Sequence, residues 1–346
     1  MRRLPVKLAM AVLAVGGGYW AAMTLTPAAK PSAPTSPVKA IAKAAGAVAA
    51  GSASASSPIS AEADEQLIIN VLDTLERRPN IAAKLRQSVR VGDDRLTGEG
   101  EYWQQGSGNQ RRTRWELKTL VAGETAFVTQ VYDGEAVWTD RKLPATRRVT
   151  RVEMSKLRRE LATGDEAEEQ GWGAIDATMP ELIARGGLSQ LVAGLHESFS
   201  FGQRQTLQRG DQTVFAVIGQ WRPEQLERVW PGLSPSSGGE WPPHLPHHVL
   251  LYVDAKDRFP YFVEYRGASQ AYLATSSEAY APADDALASF EFIDVQFASP
   301  MPADKFQYTP PENNFTDITD RVVAELRPPP AVAPETSTAR RTGSWR

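Results

Sequence analysis

The chain has no cysteine among its 346 residues. That excludes disulfide staples, thiolate metal sites and a lipid-modified N-terminal cysteine. Histidine is scarce: His196, His244, His247 and His248 are the full set. No sign of charge dominates, because 38 Lys and Arg stand against 41 Asp and Glu for a net charge of −3. A chain so balanced has no global attraction for nucleic acid or anionic lipid. The Gly-x-Ser-x-Gly elbow, the Gly-Lys-Ser/Thr phosphate loop and His-Glu-x-x-His are all missing, and with them the common hydrolase, nucleotidase and zinc-protease signatures. No internal repeat of fixed period is present. Nothing implies a cofactor.

What is present is ample material for a core, 42% apolar residues against 23% charged. The N-terminus carries Arg2, Arg3 and Lys7, followed by an uncharged run over residues 8–25, about 27 Å long if helical. Gly16-Gly17-Gly18 and Pro27 fit a cleaved signal peptide poorly. Residues 1–26 therefore read as an anchor in the inner membrane with the rest of the chain in the periplasm, and as a signal peptide of a secreted or periplasmic protein if cleaved. Residues 27–60, rich in Ala, Pro and Ser, read as a linker, and residues 328–346 as a loose tail. The folded domain is expected over 61–327.

Within it, residues 85–138 alternate apolar and polar side chains in short runs separated by turn signals, the period of half-buried strands. Expected strands are 85–91, 96–103, 113–121, 125–132, 135–139, 147–153, 199–207, 213–220, 249–254, 259–266 and 290–297. Asp133-Gly134 predicts a tight hairpin of type I′. Helices are expected at 63–77, stopped by Pro79, then up to Leu161, at 180–195 and at 223–230. Gly186-Gly187 predicts a kink or break in the third of these. Asp165, Glu166, Glu168 and Glu169 read as a solvated loop.

Thr97-Gly98-Glu99-Gly100-Glu101-Tyr102-Trp103, Arg114-Trp115-Glu116-Leu117, Asp133-Gly134-Glu135-Ala136-Val137-Trp138 and Asp304-Lys305-Phe306-Gln307-Tyr308-Thr309-Pro310-Pro311 occur in this order. Together they resemble the periplasmic lipoprotein carrier LolA and its relatives. The resemblance implies a mainly β (α+β) fold, an incomplete antiparallel β-barrel with helices covering its open concave side, and the strand inventory puts it at about ten strands. It implies an apolar cavity for lipid or lipoprotein acyl chains, and 304–311 as the closing strand. The aromatic residues Trp103, Trp115, Phe127, Trp138 and Trp221 are candidate cavity residues, each with an ordinary core place as the plainer reading. The resemblance also implies a lid latched by an arginine near the third strand. Arg111 and Arg114 are the candidates, though the Arg-Pro dipeptide that precedes this strand in typical members is not there. Leu188 and Leu191 belong to the candidate lid, 180–195. A tethered chain cannot shuttle, so a receptor, a fixed lipid-handling module or a sensor binding an envelope protein partner fits better than a carrier.

Catalysis has thin support. His244-Leu245-Pro246-His247-His248 invites a metal reading, but three prolines near it favour an extended loop, and no metal is expected. Glu99 and Glu101, with Arg111, Arg112 and Arg114 opposite, read as cross-strand ion pairs rather than an acid/base pair. The chain reads as a binding protein, not an enzyme. The basic stretch from Arg141 to Arg159 reads as a solvated surface, with lipid phosphates as its alternative partner.

Overall fold

The computed structural model describes residues 58–92, 94–121, 123–161, 180–209, 211–230, 232–233, 241–267, 286–297 and 301–326. The leader, residues 27–57 of the expected linker, the acidic loop at 165–169 and the tail lie outside them, whereas residues 58–60 begin the first helix.

The chain opens with helix α1, Pro58–Arg77. Leu67, Ile68, Val71 and Leu75 are buried along it, the i, i+4, i+8 stripe of a helix lying on a sheet. Strands β1 (Ile81–Val91), β2 (Asp94–Gln105), β3 (Arg112–Val121), β4 (Glu124–Tyr132), β5 (Ala136–Leu143) and β6 (Thr146–Glu153) follow as a meander. Helix α2 is Met154–Leu161 and helix α3 is Pro180–Ser198. Then come β7 (Phe199–Arg209), β8 (Gln212–Trp221), helix α4 (Pro223–Val229), β9 (His248–Asp254), β10 (Pro260–Arg266) and β11 (Ala286–Gln296). A two-residue β12 (Thr316–Asp317) and helix α5 (Thr319–Leu326) close the described chain.

The twelve strands of the described residues form one sheet in the order β12-β6-β5-β4-β3-β2-β1-β11-β10-β9-β8-β7, with β7 and β12 at its two ends. The sheet does not close on itself, which is the incomplete barrel expected. Among the described residues every pairing between long strands is antiparallel; β12 alone runs parallel, to β6.

Alternation sorts the side chains onto two faces. The inner face carries Ile81, Ala83 and Leu85 of β1, Tyr102 of β2, Trp115 and Leu117 of β3, and Phe290 and Phe292 of β11, joined in one core with α1 and α3. The outer face of the β1–β11 ladder is charged, with Lys84 on Asp294 and Arg86 on Glu291. A smaller core at the β6 edge packs Met154 and Leu157 of α2 against Ile318, Val322 and Val323. The opposite edge strand is partly shielded by α1: Glu65 accepts from the Phe201 amide and Asp64 from the Arg204 amide. Such side chains occupy donors that could template another strand.

Three expectations need correction. Residues 304–311 are not a strand: a 3-10 turn over Ala303–Phe306 leads into extended chain across the outer face, and Pro310-Pro311 removes two ladder donors there. The strand that pairs with β6 is instead Thr316–Asp317. The Asp133-Gly134 link is not type I′. Only Gly134 has positive φ, 106°, and the Asp133 carboxylate accepts from the amides of Glu135 and Ala136, an Asx turn that does the work instead. The third concerns Glu99 and Glu101, which face Lys118 and Glu116 on β3 and Arg86 and Lys84 on β1, not Arg111, Arg112 or Arg114.

Candidate functional site

The site is the inner face of β2–β4 with α3 laid over it. β2 and β3 set Tyr102 opposite Trp115 and Gln104 opposite Thr113. The Tyr102 and Trp115 rings stack at 4.2 Å, and Phe292 meets both edge-on at 6.2 and 6.3 Å. Leu188, Leu191, Val192 and Leu195 of α3 close over this floor, all buried.

Helix α3 is broken where Gly186-Gly187 predicts. Gly187 sits at φ 61° and ψ −145°, a region open essentially to glycine. A Cβ there would strike the Tyr102 hydroxyl and the Gln104 amide oxygen. A helix break frees backbone groups that must find partners when buried. Here the sheet supplies them. Thr113 donates to the Ala184 carbonyl, and Arg111 donates to the Gly186 carbonyl at 2.6 Å. The Tyr102 hydroxyl accepts from the Leu188 amide at 3.2 Å and donates to Gln104 at 2.6 Å. Full burial pushes the Tyr102 phenol well above its ordinary pKa, so it remains a donor.

Arg111 does more than hold the break. Its second guanidinium nitrogen lies 2.7 Å from Glu76 at the end of α1, with the arginine side chain only 6% exposed. One side chain thus ties α3, α1 and the start of β3 together. Arg114 plays no part in this. It lies on the outer face, pairs with Glu116 at 2.6 Å and donates to the Lys305 carbonyl at 3.0 Å, holding the 301–310 segment onto the sheet.

The five aromatic candidates divide by face. Trp115 (2% exposed) and Trp221 (8%) are in the inner core, and Trp221 donates to the Pro246 carbonyl at 2.7 Å. Trp103, Phe127 and Trp138 point outward. The Lys305 ammonium lies 4.0 Å from the Trp103 ring. Trp138 packs on Tyr308 and Phe315 and donates to Asp133 at 3.1 Å. Phe127 is 41% exposed. Three inner-face residues, Tyr102, Gln104 and Thr113, carry as much of the geometry as any tryptophan, and the sequence reading did not single them out. The available signal was alternation: each shares the inner parity of Trp115.

The histidine loop offers no catalytic cluster. His247 stacks on Trp241 at 4.8 Å, and His248 opens β9 with 1% exposure. Burial, then the neighbouring His247 and Arg266, lower the His248 pKa from 6.5 to about 3. Among the described residues no three His, Asp or Glu side chains gather as metal ligands, and no helix is long and apolar enough to cross a membrane.

No family model matches the chain, and no curated protein is significantly similar in sequence. Some solved structures are distantly similar. The crystal structure of MucB gives a TM-score of 0.35 at 12% identity over 71% of this chain and 63% of that one; this chain therefore spans about three fifths of MucB. A putative outer membrane lipoprotein-sorting protein domain from Vibrio parahaemolyticus gives 0.32 at 10% identity, over 71% of this chain and 97% of that one. A LolA superfamily protein from Nitrosomonas europaea gives 0.27 at 11% identity, over 71% and 98%.

Proposed function

We propose that this chain is a non-catalytic binding protein of the cell envelope, whose inner sheet face takes the acyl chain of a lipid or lipoprotein in place of α3. Residues 8–25 tether it to the inner membrane and the domain works in the periplasm. The observation that carries this reading is the Arg111 clamp on a glycine-broken helix: one buried cation holds the α3 cover at its natural hinge.

Energetics decide how the cover opens. Lifting α3 exposes Leu188, Leu191, Val192 and Leu195, at roughly 1.5–3 kcal/mol each. Their sum, about 6–12 kcal/mol, is comparable to the whole stability of a domain. The cover therefore does not open onto water. It exchanges apolar surface with an incoming chain, and the ligand must be apolar along its length.

A second reading has an observation of its own. Thr113, Arg111 and Tyr102 bind main-chain groups of α3, so a segment of a protein partner could replace α3 in kind. That would make the chain an envelope sensor or regulator.

Native mass spectrometry of residues 58–346, purified without detergent, separates the two. Under the acyl-chain reading a stoichiometric lipid co-purifies or binds when offered, and Arg111→Gln speeds its exchange. A mass that no offered lipid shifts overturns that reading and leaves the partner reading in place.

A further inference from the structure

At the end of the sheet away from the Arg111 clamp, the hairpin turns β1–β2, β3–β4 and β5–β6 lie side by side. The register there sets an outward-facing row in which Lys118 is opposite Phe127, Phe127 opposite Lys142, and Lys142 opposite Arg147. In the adjacent inner row Arg141 is opposite Arg148. Two like-charged pairs side by side destabilise a hairpin. Asp140 offsets one cation only, holding Arg147 with both carboxylate oxygens at 3.0 and 2.6 Å. Lys142 lies 5.9 Å from the Phe127 ring; neither it nor Arg148 forms an ion pair among the described residues. The other carboxylates of this end among the described residues are Glu99, across from Lys118, Glu124, across from Val121, and Asp94, across from Val91 in the β1–β2 turn.

Apolar exposure falls at the same place. Leu120 is 58% exposed and Phe127 41%. Both face outward at the β3–β4 turn, with Lys118 on the same face two residues before Leu120.

We infer that this end of the sheet docks on an anionic lipid surface, Lys142, Arg148 and Lys118 meeting headgroup phosphates while Leu120 and Phe127 enter the acyl boundary. Charge complementarity alone would suit an acidic protein. The bare leucine and phenylalanine set among the cations favour a membrane, whose interface accepts apolar side chains beneath a layer of phosphate. The chain's net charge of −3 makes the attraction local, acting within a Debye length of the surface. The inference is independent of what occupies the inner face.

The cysteine-free chain permits a clean test. The full chain carries Ala145→Cys, in the β5–β6 turn, labelled with an environment-sensitive dye, and is reconstituted with vesicles. Lys256→Cys, in the β9–β10 turn at the other end of the sheet, is the control. With phosphatidylglycerol vesicles the dye at 145 shifts to the blue and the dye at 256 does not. High salt reverses the shift, and Lys142→Glu with Arg148→Glu lowers partition by roughly fivefold per cation. Leu120→Ser with Phe127→Ser leaves the salt-sensitive association but abolishes the blue shift. The inference is overturned if the dye at 145 stays water-like, responds equally to purely phosphatidylcholine vesicles, or responds as strongly to polyglutamate.

Discussion

Tyr102 and Trp103 are neighbours in the chain and opposites in the molecule. Tyr102 is fully buried, stacked on Trp115 and bonded to the backbone of α3. Trp103 faces outward under the Lys305 ammonium. The inner face is thus a floor that holds two helices, whereas the outer face of β2–β6 is partly strapped by 301–317 and partly bare. A one-residue step decides between them, because side chains alternate across a strand. An aromatic residue in this sheet therefore means either a covered floor or an outer contact, and its identity does not say which.

The largest effect should come from removing the floor itself. Trp115→Ala is expected to cost about 3–5 kcal/mol, as for large-to-small changes in packed cores, while Trp103→Ala costs about 1 kcal/mol. Urea unfolding measures both, and equal losses would erase the distinction between faces.

Gly187→Ala sharpens the comparison at the helix break. It should cost about 2–3 kcal/mol, since a strained backbone is combined with a clash against Tyr102 and Gln104. Gly123→Ala, also at positive φ but with open space around its Cβ, should cost about 1 kcal/mol. Hydrogen exchange should show α3 amides opening in the first variant and not in the second.

His248 tests the part of the outer face that is buried. The folded state keeps its imidazole neutral down to about pH 3, whereas the unfolded chain protonates near 6.5. The unfolded state binds more protons between those values, so stability falls as pH drops through 6.5, by about 1.4 kcal/mol per unit. From pH 6.5 to 5 that is about 2 kcal/mol. His248→Gln should flatten this slope, and an unchanged slope would mean the imidazole protonates freely in the folded state.

The smallest effect belongs to the bare surface. Phe127→Ser should leave stability within about 0.5 kcal/mol. A larger loss by thermal melting would mean that Phe127 is not the exposed residue described.

Much of the fold was legible because alternation and punctuation are local. The eleven long strands fall where the apolar–polar period places them, the helices before and after Pro79 and Pro223 start or stop as proline requires, and the break at Gly186-Gly187 is where two glycines allow it. Strand β12 and helix α5 were missed, since two residues of parallel pairing leave no pattern and α5 is short. The 304–311 block misled because an alternating run before two prolines fits a strand and an extended strap equally well.

The sequence by itself determined most element types, the antiparallel meander and the helix break at Gly186-Gly187, since each follows from side-chain period and backbone restriction within a few residues. Only the tertiary structure decided which parity faces the helices, that Arg111 rather than Arg114 reaches the broken turn of α3, and that Thr113 and Tyr102 satisfy its freed backbone groups. Those outcomes depend on residues some 70 to 90 positions apart meeting in space, and no local pattern encodes such a meeting.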